Sequence, residues 1–122
     1  MSLFLRLDVK PVPASRPRVS KWGTYYGKTY KAFRKAMHEA LSGFEDDPMT
    51  GSLHVEVTFF CLEPKKPTKL WPRGDIDNYV KALFDSFNGK VWGDDDQVVT
   101  VVAHKVYCHT DARIEVRIRR EA

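Results

Sequence analysis

Several features that would place this chain in a special class of protein are missing from its sequence. No apolar run approaches the roughly 20 residues that a membrane-spanning helix needs. The opening MSLFLRLDVK lacks the basic-then-apolar pattern of a secretory signal. We therefore expect a cytoplasmic protein with no membrane partner. There are two cysteines, Cys61 and Cys108, both inside strand-like segments, which favours reduced thiols over a disulfide.

Motifs for several common chemistries are missing as well. The sequence contains no glycine-rich phosphate loop, no Ser-His-Asp arrangement and no cysteine in a nucleophilic setting. His104, Cys108 and His109 superficially suggest a zinc site, but strand alternation separates the directions of their side chains. These absences argue against a nucleotide-dependent transferase, a triad hydrolase and a zinc enzyme.

The composition is that of an ordinary globular protein, and its charge is unevenly distributed. The 122 residues are 43% hydrophobic, which supports one core and excludes general disorder, so we expect residues 1–122 to form a single domain. Residues 1–43 hold nine Lys/Arg and two acids, a net charge of +7, whereas the remainder holds eleven Lys/Arg and fourteen acids, a net charge of −3. A basic front half and an acid-bearing back half are typical of a polyanion binder with a metal site.

Hydrophobic periodicity predicts an α+β fold. The predicted elements are a strand at 3–9, a long loop or loose hairpin at 10–29, a helix at 30–43, a strand at 52–62, a helix at 76–88, and strands at 98–109 and 112–119. We expect the last two strands to be antiparallel and joined at the turn 109–111. The order β-α-β-α-β-β favours two layers, with two helices packed on a small mixed sheet.

Carboxylates concentrate between Gly74 and Gln97. Asp75 stands at the start of the second predicted helix, where its side chain can accept a hydrogen bond from a first-turn amide. Asp77 and Lys81 are four residues apart and share the polar face of that helix. On spacing alone, a capped helix, an ion pair and a solvated acidic turn explain this pattern.

A bound cation is the second interpretation of the same carboxylates. Asp94, Asp95 and Asp96 follow in a turn, which reaches Asp75 only if the chain folds back after the helix. Carboxylates brought together repel one another, and a sequence that gathers them usually binds a cation. Magnesium commonly takes one or two carboxylates plus a substrate phosphate, and such a site supports phosphodiester hydrolysis. A lysine beside it can neutralise developing charge.

Three segments resemble the core signature of RusA-type Holliday junction resolvases. They are 73–78 (RGDIDN), 81–85 (KALFD) and 91–98 (VWGDDDQV), and the section 11–18 (PVPASRPR) is similar to the proline-rich, basic N-terminal section of that family. Together these patterns span about residues 10–105. The two acidic motifs at this separation are specific to that family, whereas either motif alone would be weak evidence of the resemblance.

The resemblance implies a cofactor, a partner and a set of site residues. Members of the family are small homodimers, common in phages, that cut four-way DNA symmetrically with Mg²⁺ or Mn²⁺. Their three essential aspartates, as metal ligands, match Asp75, Asp77 and Asp95 here, and their essential lysine matches Lys81.

The third aspartate is the least secure of these matches. Asp94 matches the acid that precedes it in the family, whereas Asp96 is an extra acid where a small or polar residue is expected. A shift of one residue would promote Asp94 or Asp96. Trp92 and Gln97 fix the register on Asp95.

Basic residues that suit DNA phosphates precede each acidic element. Those we expect to bind DNA are Arg16, Arg18, Lys21, Lys28, Lys69 and Arg73. The aromatics Trp22, Tyr25 and Tyr26 lie among the first four, an interleaving that suits stacking on the exposed bases of a branch. The simpler alternative is a solvated loop whose aromatics pack on the body of the protein.

The sequence therefore favours a magnesium-dependent endonuclease that resolves Holliday junctions in recombination and repair. Asp75, Asp77 and Asp95 would bind one or two metal ions, and Lys81 would stabilise the charge that develops on the phosphodiester. Two alternatives stay open. One is a nuclease for flaps or forks, and the other is a non-catalytic module that binds junctions or single strands.

Overall fold

A computed structural model describes residues 2–25 and 27–121 of the chain. The elements in this part of the chain are β1 (Ser2–Leu7), β2 (Arg18–Ser20), β3 (Gly23–Tyr25), α1 (Lys28–Ala40), β4 (Leu53–Leu62), α2 (Ile76–Phe87), a short 3-10 helix (Asp95–Gln97), β5 (Val98–Cys108) and β6 (Arg113–Arg120). The predicted α+β class, with two helices and a mixed four-stranded sheet, is confirmed. The segment predicted as a loop or loose hairpin holds the short β2–β3 hairpin.

The main sheet has the strand order β1-β6-β4-β5. Alternation decides its two faces, since Leu53, Val55, Val57 and Phe59 of β4 are buried beneath the helices. β6 pairs with β1 and β4 in antiparallel fashion, whereas β4 and β5 are parallel. The two last strands do run in opposite directions, but they do not form the expected hairpin, because β4 lies between them.

The helix α2 is the crossover between the parallel strands β4 and β5. Parallel neighbours cannot be joined by a tight turn, so the connecting helix must run back along the sheet from the end of one strand to the start of the next. Its buried face carries Tyr79, Ala82, Leu83 and Phe87. The start of α2 therefore lies at the carboxyl ends of β4 and β5, and its end lies near the start of β5.

The helix α1 completes the layer above the sheet. Tyr30, Phe33 and Met37 recur at helical spacing and are buried. Trp92, between α2 and β5, is fully buried and makes edge contacts with Phe84 and Phe87. In the described part of the chain, no helix is long and apolar enough to cross a membrane.

Candidate active site

A cleft of about 510 Å³ opens at the start of α2. It is bordered by the segment before the β2–β3 hairpin, by Tyr30 of α1 and by the first turns of α2. Its lining residues are Ala14, Ser15, Arg16, Pro17, Tyr30, Asp75, Asp77, Asn78, Lys81 and Asp85. Three of the four predicted catalytic residues, Asp75, Asp77 and Lys81, therefore share one cleft with a predicted DNA contact, Arg16.

Asp75 occupies the N-cap position of α2, but its side chain makes no capping hydrogen bond. Its backbone carbonyl accepts hydrogen bonds from the amides of Asn78 and Tyr79, at 3.1 and 3.3 Å. The expectation that the carboxylate caps the helix is therefore wrong. The turn is held by backbone atoms, and the carboxylate is left to face the cleft.

Lys81 pairs with Asp85 rather than with Asp77. The Lys81 Nζ lies 3.3 Å from Asp85 Oδ2, one helical turn further on. Among the described residues, neither Asp75 nor Asp77 forms an ion pair or a side-chain hydrogen bond. The cap-and-ion-pair interpretation therefore does not account for these two carboxylates, which lie exposed in a cleft with a lysine beside them.

The backbone that leads into Asp75 is held by side chains from α2 and β5. Four consecutive carbonyls, from Trp71 to Gly74, each accept a side-chain hydrogen bond. Tyr107 Oη donates to the carbonyl of Trp71, at 2.8 Å, and Tyr79 Oη donates to that of Arg73, at 2.6 Å. Lys105 Nζ donates to the carbonyl of Pro72, at 2.8 Å, and also to that of Gly74. We call these three side chains the loop clamp. It fixes a segment that carries no regular secondary structure of its own.

Gly74 is required at the end of this segment. Its φ is +93°, a conformation that other residues rarely adopt, and a Cβ here would lie 3.1 Å from both Pro13 and Tyr79. The amide of Ala14 also donates to the carbonyl of Asn78, at 2.8 Å. The proline-rich section is thus packed and hydrogen-bonded against the start of α2, which brings Arg16 to the cleft.

The acidic turn after α2 is ordered around Asp95. The buried indole of Trp92 donates to Asn88 Oδ1, at 2.6 Å, and Asn88 Nδ2 donates to Asp95 Oδ2, at 3.2 Å. Asp94 and Asp96 are exposed, and Asp96 borders a different cleft beside residues 48–52. The fully buried tryptophan therefore orients Asp95 through one amide side chain, which supports the register that singles out this aspartate.

Gln97 attaches the same turn to the body of the protein. Its Oε1 accepts from the amides of Gly93 and Asp94, at 3.0 and 3.1 Å. Its Nε2 donates to the carbonyls of Met49 and Gly51, both at 3.0 Å. The glutamine of the motif thus has a structural role, because it satisfies four backbone groups across two loops.

Asp95 lies at the opposite end of α2 from Asp75 and Asp77. Its partner Asn88 follows the helix, eleven positions after Asp77, and at 1.5 Å per residue these positions are about 16 Å apart along the axis. Within the described residues, no group of three or more Asp, Glu, His or Cys side chains is placed to hold a metal ion. One chain therefore presents two carboxylates in the cleft and the third elsewhere.

The predicted DNA contacts fall in several places. Arg16 lines the cleft, and Arg73 is exposed two residues before Asp75. Lys28 borders a separate cleft with Lys10, on another side of α1. Lys21 and Lys69 lie over the rings of Trp22 and Trp71, at 5.0 and 5.7 Å. The side chain of Arg18, like that of Tyr25 and the whole of Tyr26, lies outside what the structure describes.

The aromatic residues of the basic loops do not all pack on the body of the protein. Trp22 is 86% exposed and Trp71 is 54% exposed. The expected alternative, in which these rings are buried against the domain, is therefore wrong for Trp22.

Sequence reasoning missed the loop clamp and the role of Asn88. Lys105 is a charged residue within a strand of mostly apolar residues, and this was the one feature of the sequence that could have indicated its role. The carbonyls that it binds are more than thirty residues away in the chain. Asn88 offered no signal at all, because it reads as an ordinary residue at the end of a helix.

Comparison with known proteins shows the family of this chain. Residues 8–119 match the family described as Endodeoxyribonuclease RusA, and the chain belongs to that family. It is also 44% identical over 45 residues to the uncharacterized protein YqaN of Bacillus subtilis (strain 168). That alignment covers 37% of this chain and 31% of the relative, so the chain spans about a third of the length of the curated protein that it matches.

Proposed function

We propose that this protein is a magnesium-dependent endonuclease that cuts four-way DNA junctions symmetrically, in recombination and repair in the cytoplasm of its cell or of a phage host. The observation that carries the proposal is the pair Asp75 and Asp77. These two carboxylates share a cleft with Lys81 and Arg16 and have no protein partner among the described residues. Membership of an endodeoxyribonuclease family supports the nuclease class.

The donor set of the cleft fits Mg²⁺ or Mn²⁺. Mg²⁺ prefers oxygen ligands and keeps several waters, so one or two carboxylates plus a substrate phosphate are enough. Asp75 and Asp77 are these two carboxylates, since neither is used for capping or for an ion pair. When bound, the cation would polarise the scissile phosphate and make a water molecule a better nucleophile.

The side chains of the cleft supply the charge that a phosphodiester needs. Lys81 is 64% exposed, and Asp85 holds its ammonium group at 3.3 Å on the cleft side of α2. From there it neutralises charge that builds up on the phosphate or the leaving oxygen. Arg16 and Arg73 bind neighbouring phosphates, and the exposed Trp22 offers a surface on which an unpaired base stacks.

Asp95 has a place in this proposal only if two copies of the chain associate. One chain holds its Asp95 about a helix length away from Asp75 and Asp77. In a homodimer, Asp95 of the partner subunit can complete the ligand set in spite of this separation within one chain. Two such composite sites, related by a two-fold axis, would cut opposed strands of a junction, which is what symmetric resolution requires.

The edge strand β5 is the surface that we assign to the dimer. Within the described residues no strand pairs with its outer side, and it is eleven residues long. Val99, Val101, Val102 and Val106 are between 38% and 60% exposed on it. Long apolar edges readily pair with another chain. Antiparallel pairing of two β5 strands sets the start of one, which follows Asp95, beside the end of the other, where the loop clamp lies.

A cleavage assay tests the proposal. Four-way junction, flap, fork and linear duplex are incubated with wild type in Mg²⁺, with Asp75→Asn as the control. We expect paired nicks in opposed strands of the junction, loss of cleavage in the variant, and little cleavage of linear duplex. Preferential cleavage of flaps or forks favours the branched-DNA nuclease. Binding of the junction without any nicking favours the non-catalytic module.

The assignment of the dimer surface is tested by Val101→Lys. A lysine on the apolar edge strand opposes its pairing with another chain. Light scattering should show a dimer for wild type and a folded monomer for the variant. Lys substitution at the exposed Leu70, in the basic loop, is the matched control and should leave the dimer intact. An unchanged dimer in Val101→Lys would place the interface elsewhere.

A further inference from the structure

A second cleft, of about 370 Å³, lies next to the candidate active site. It lies between the C-terminal halves of α1 and α2 and the turn that follows α2. Arg34 and His38 line it from α1, and Lys90 lines it from the turn. Asp85 borders both clefts. The two clefts are therefore neighbours, and we call them together the groove, which borders α1 from Tyr30 to Leu41, a rise of about 16 Å.

One side of α1 gives this groove a positive flank. Lys31, Arg34, Lys35 and His38 recur at spacings of three and four residues, so they share one side of the helix. The single acid within α1 is Glu39. The nearest predicted DNA contact on this helix, Lys28, borders a different cleft. The basic side of α1 thus borders the groove that leads away from the active site.

Several other polar groups of the second cleft have partners within the protein. Asp85 is paired with Lys81, so its negative charge is offset. The hydroxyl groups of Ser42 and Ser86 donate to the carbonyls of Glu39 in α1 and Ala82 in α2, at 2.7 and 2.9 Å. Arg34 and Lys90 bring positive charge to this cleft, so the ligand that it attracts is an anion.

We propose that the groove binds the sugar–phosphate backbone of the DNA arm next to the scissile phosphate. The proposal rests on the proposed function, because it takes the cleft at Asp75 and Asp77 as the place of cleavage. The groove is open and about 16 Å long, and phosphates along one strand are spaced about 3.4 Å apart along the duplex axis, so several fit beside it. Contacts of this kind set affinity and register and carry no sequence information.

Binding measured against salt tests the proposal. Lys90→Ala and Arg34→Gln each remove one cation from the groove, and Lys10→Ala removes an exposed cation from a different cleft. A four-way junction is titrated with each protein in EDTA between about 50 and 200 mM salt. Log affinity falls linearly with log salt, and each groove variant should make this fall shallower by about 0.9 in slope. Each should also weaken binding about fivefold to tenfold near 100 mM. Lys10→Ala should match wild type.

Three controls separate this proposal from the proposed function. Thermal melting confirms that each variant is folded, and Lys90→Ala provides the test on its own if Arg34→Gln unfolds. Single-turnover cleavage at subsaturating enzyme should fall in the groove variants in step with their loss of affinity, whereas Lys10→Ala should keep the wild-type rate. Failure of wild type to cut any branched DNA would overturn the proposed function. Binding of DNA in the groove would then still be accepted or rejected from the salt slopes of the groove variants. Cleavage by wild type, with unchanged slopes in both groove variants, would show a merely solvated basic face and overturn this proposal alone.

Discussion

The ammonium group of Lys105, on the edge strand β5, donates hydrogen bonds to the carbonyls of Gly74 and Pro72. These two carbonyls lie on either side of Arg73, and that of Gly74 directly precedes Asp75. Tyr107 and Tyr79 bind the carbonyls of Trp71 and Arg73, so no carbonyl in the segment 71–74 is left without a side-chain donor. A loop without regular structure thus acquires a fixed backbone path up to Asp75.

Lys105→Met should slow cleavage without abolishing the fold. The variant keeps the aliphatic stem and loses two charge-assisted hydrogen bonds, which costs about 1–3 kcal/mol of stability. As a positioning residue, Lys105 should affect the single-turnover rate more than junction affinity in EDTA. Lys105→Arg should restore part of the rate, because it restores the donors.

The matched control for this prediction is Lys65→Met, in the exposed loop after β4. It removes one lysine of the same kind without touching the loop clamp, and we expect a wild-type rate and melting temperature. Equal losses of affinity in Lys65→Met and Lys105→Met, with unchanged rates at saturation, would mean that Lys105 acts only through its charge.

Asp75→Asn and Asp77→Asn should each reduce cleavage about a hundredfold or more while leaving stability in the absence of metal unchanged. Neither carboxylate has a protein partner among the described residues, so its neutral isostere loses no hydrogen bond or ion pair. Loss of a metal ligand removes several kcal/mol of transition-state stabilisation. Chemical unfolding in EDTA and cleavage in Mg²⁺ measure the two effects. Asp47→Asn, an exposed acid elsewhere, is the control. A large loss of stability without metal would assign these aspartates a structural role.

Two inactive variants should restore activity when they are mixed. If Asp95 of the partner subunit completes each site, a heterodimer of Asp77→Asn and Asp95→Asn contains one site with both changes and one intact site. The mixture, after subunit exchange, should nick one strand of the junction, whereas each variant alone should nick neither. An inactive mixture, with exchange verified by tagged subunits, would place all three aspartates of a working site in one chain.

Asn88→Ala should disturb Asp95 and destabilise the fold. It removes the acceptor of the fully buried Trp92 indole and the donor to Asp95. An unsatisfied buried donor costs about 1–3 kcal/mol, which urea unfolding detects. Asp95→Asn keeps an acceptor for Asn88 and should lose cleavage with a much smaller change in stability. Equal stabilities of wild type and Asn88→Ala would contradict the relay from Trp92 to Asp95.

Tyr79→Phe should lower stability at neutral pH and make less difference in alkali. Burial raises the pKa of the Tyr79 phenol above its ordinary value of 10.0, so the folded state holds this proton more tightly than the unfolded state. The contribution of this group is fully present below a pH of about 10 and is lost as the pH rises through the folded pKa. Losing the hydrogen bond to the Arg73 carbonyl costs about 1 kcal/mol near pH 7. The gap in unfolding free energy between wild type and variant should narrow above pH 10, and a widening gap would refute the assignment.

Much of the architecture could be predicted from local pattern. Alternation in β4 and β6 and the apolar stripe of α2 depend on which side chains a strand or helix buries, and the structure confirms them. The choice of Asp95 among its neighbours, made from the joint register of the two acidic motifs, stays a prediction. Which strands are hydrogen-bonded neighbours in the sheet could not be predicted in this way. Periodicity says which face of β6 is apolar and nothing about the strand beside it, so its insertion between β1 and β4 was missed.

The sequence by itself determined the inventory of the candidate site: paired aspartates at the start of an amphipathic helix, a lysine one turn later, and a third aspartate placed by the register of a tryptophan and a glutamine. Only the tertiary structure decided how these groups are distributed. The parallel pairing of β4 and β5 makes α2 a full-length crossover, which separates Asp95 from Asp75 and Asp77 within one chain. It also brings Lys105 to the carbonyl of Gly74, because the end of β5 lies beside the start of α2. Both outcomes depend on contacts between residues distant in the chain, which local spacing does not encode.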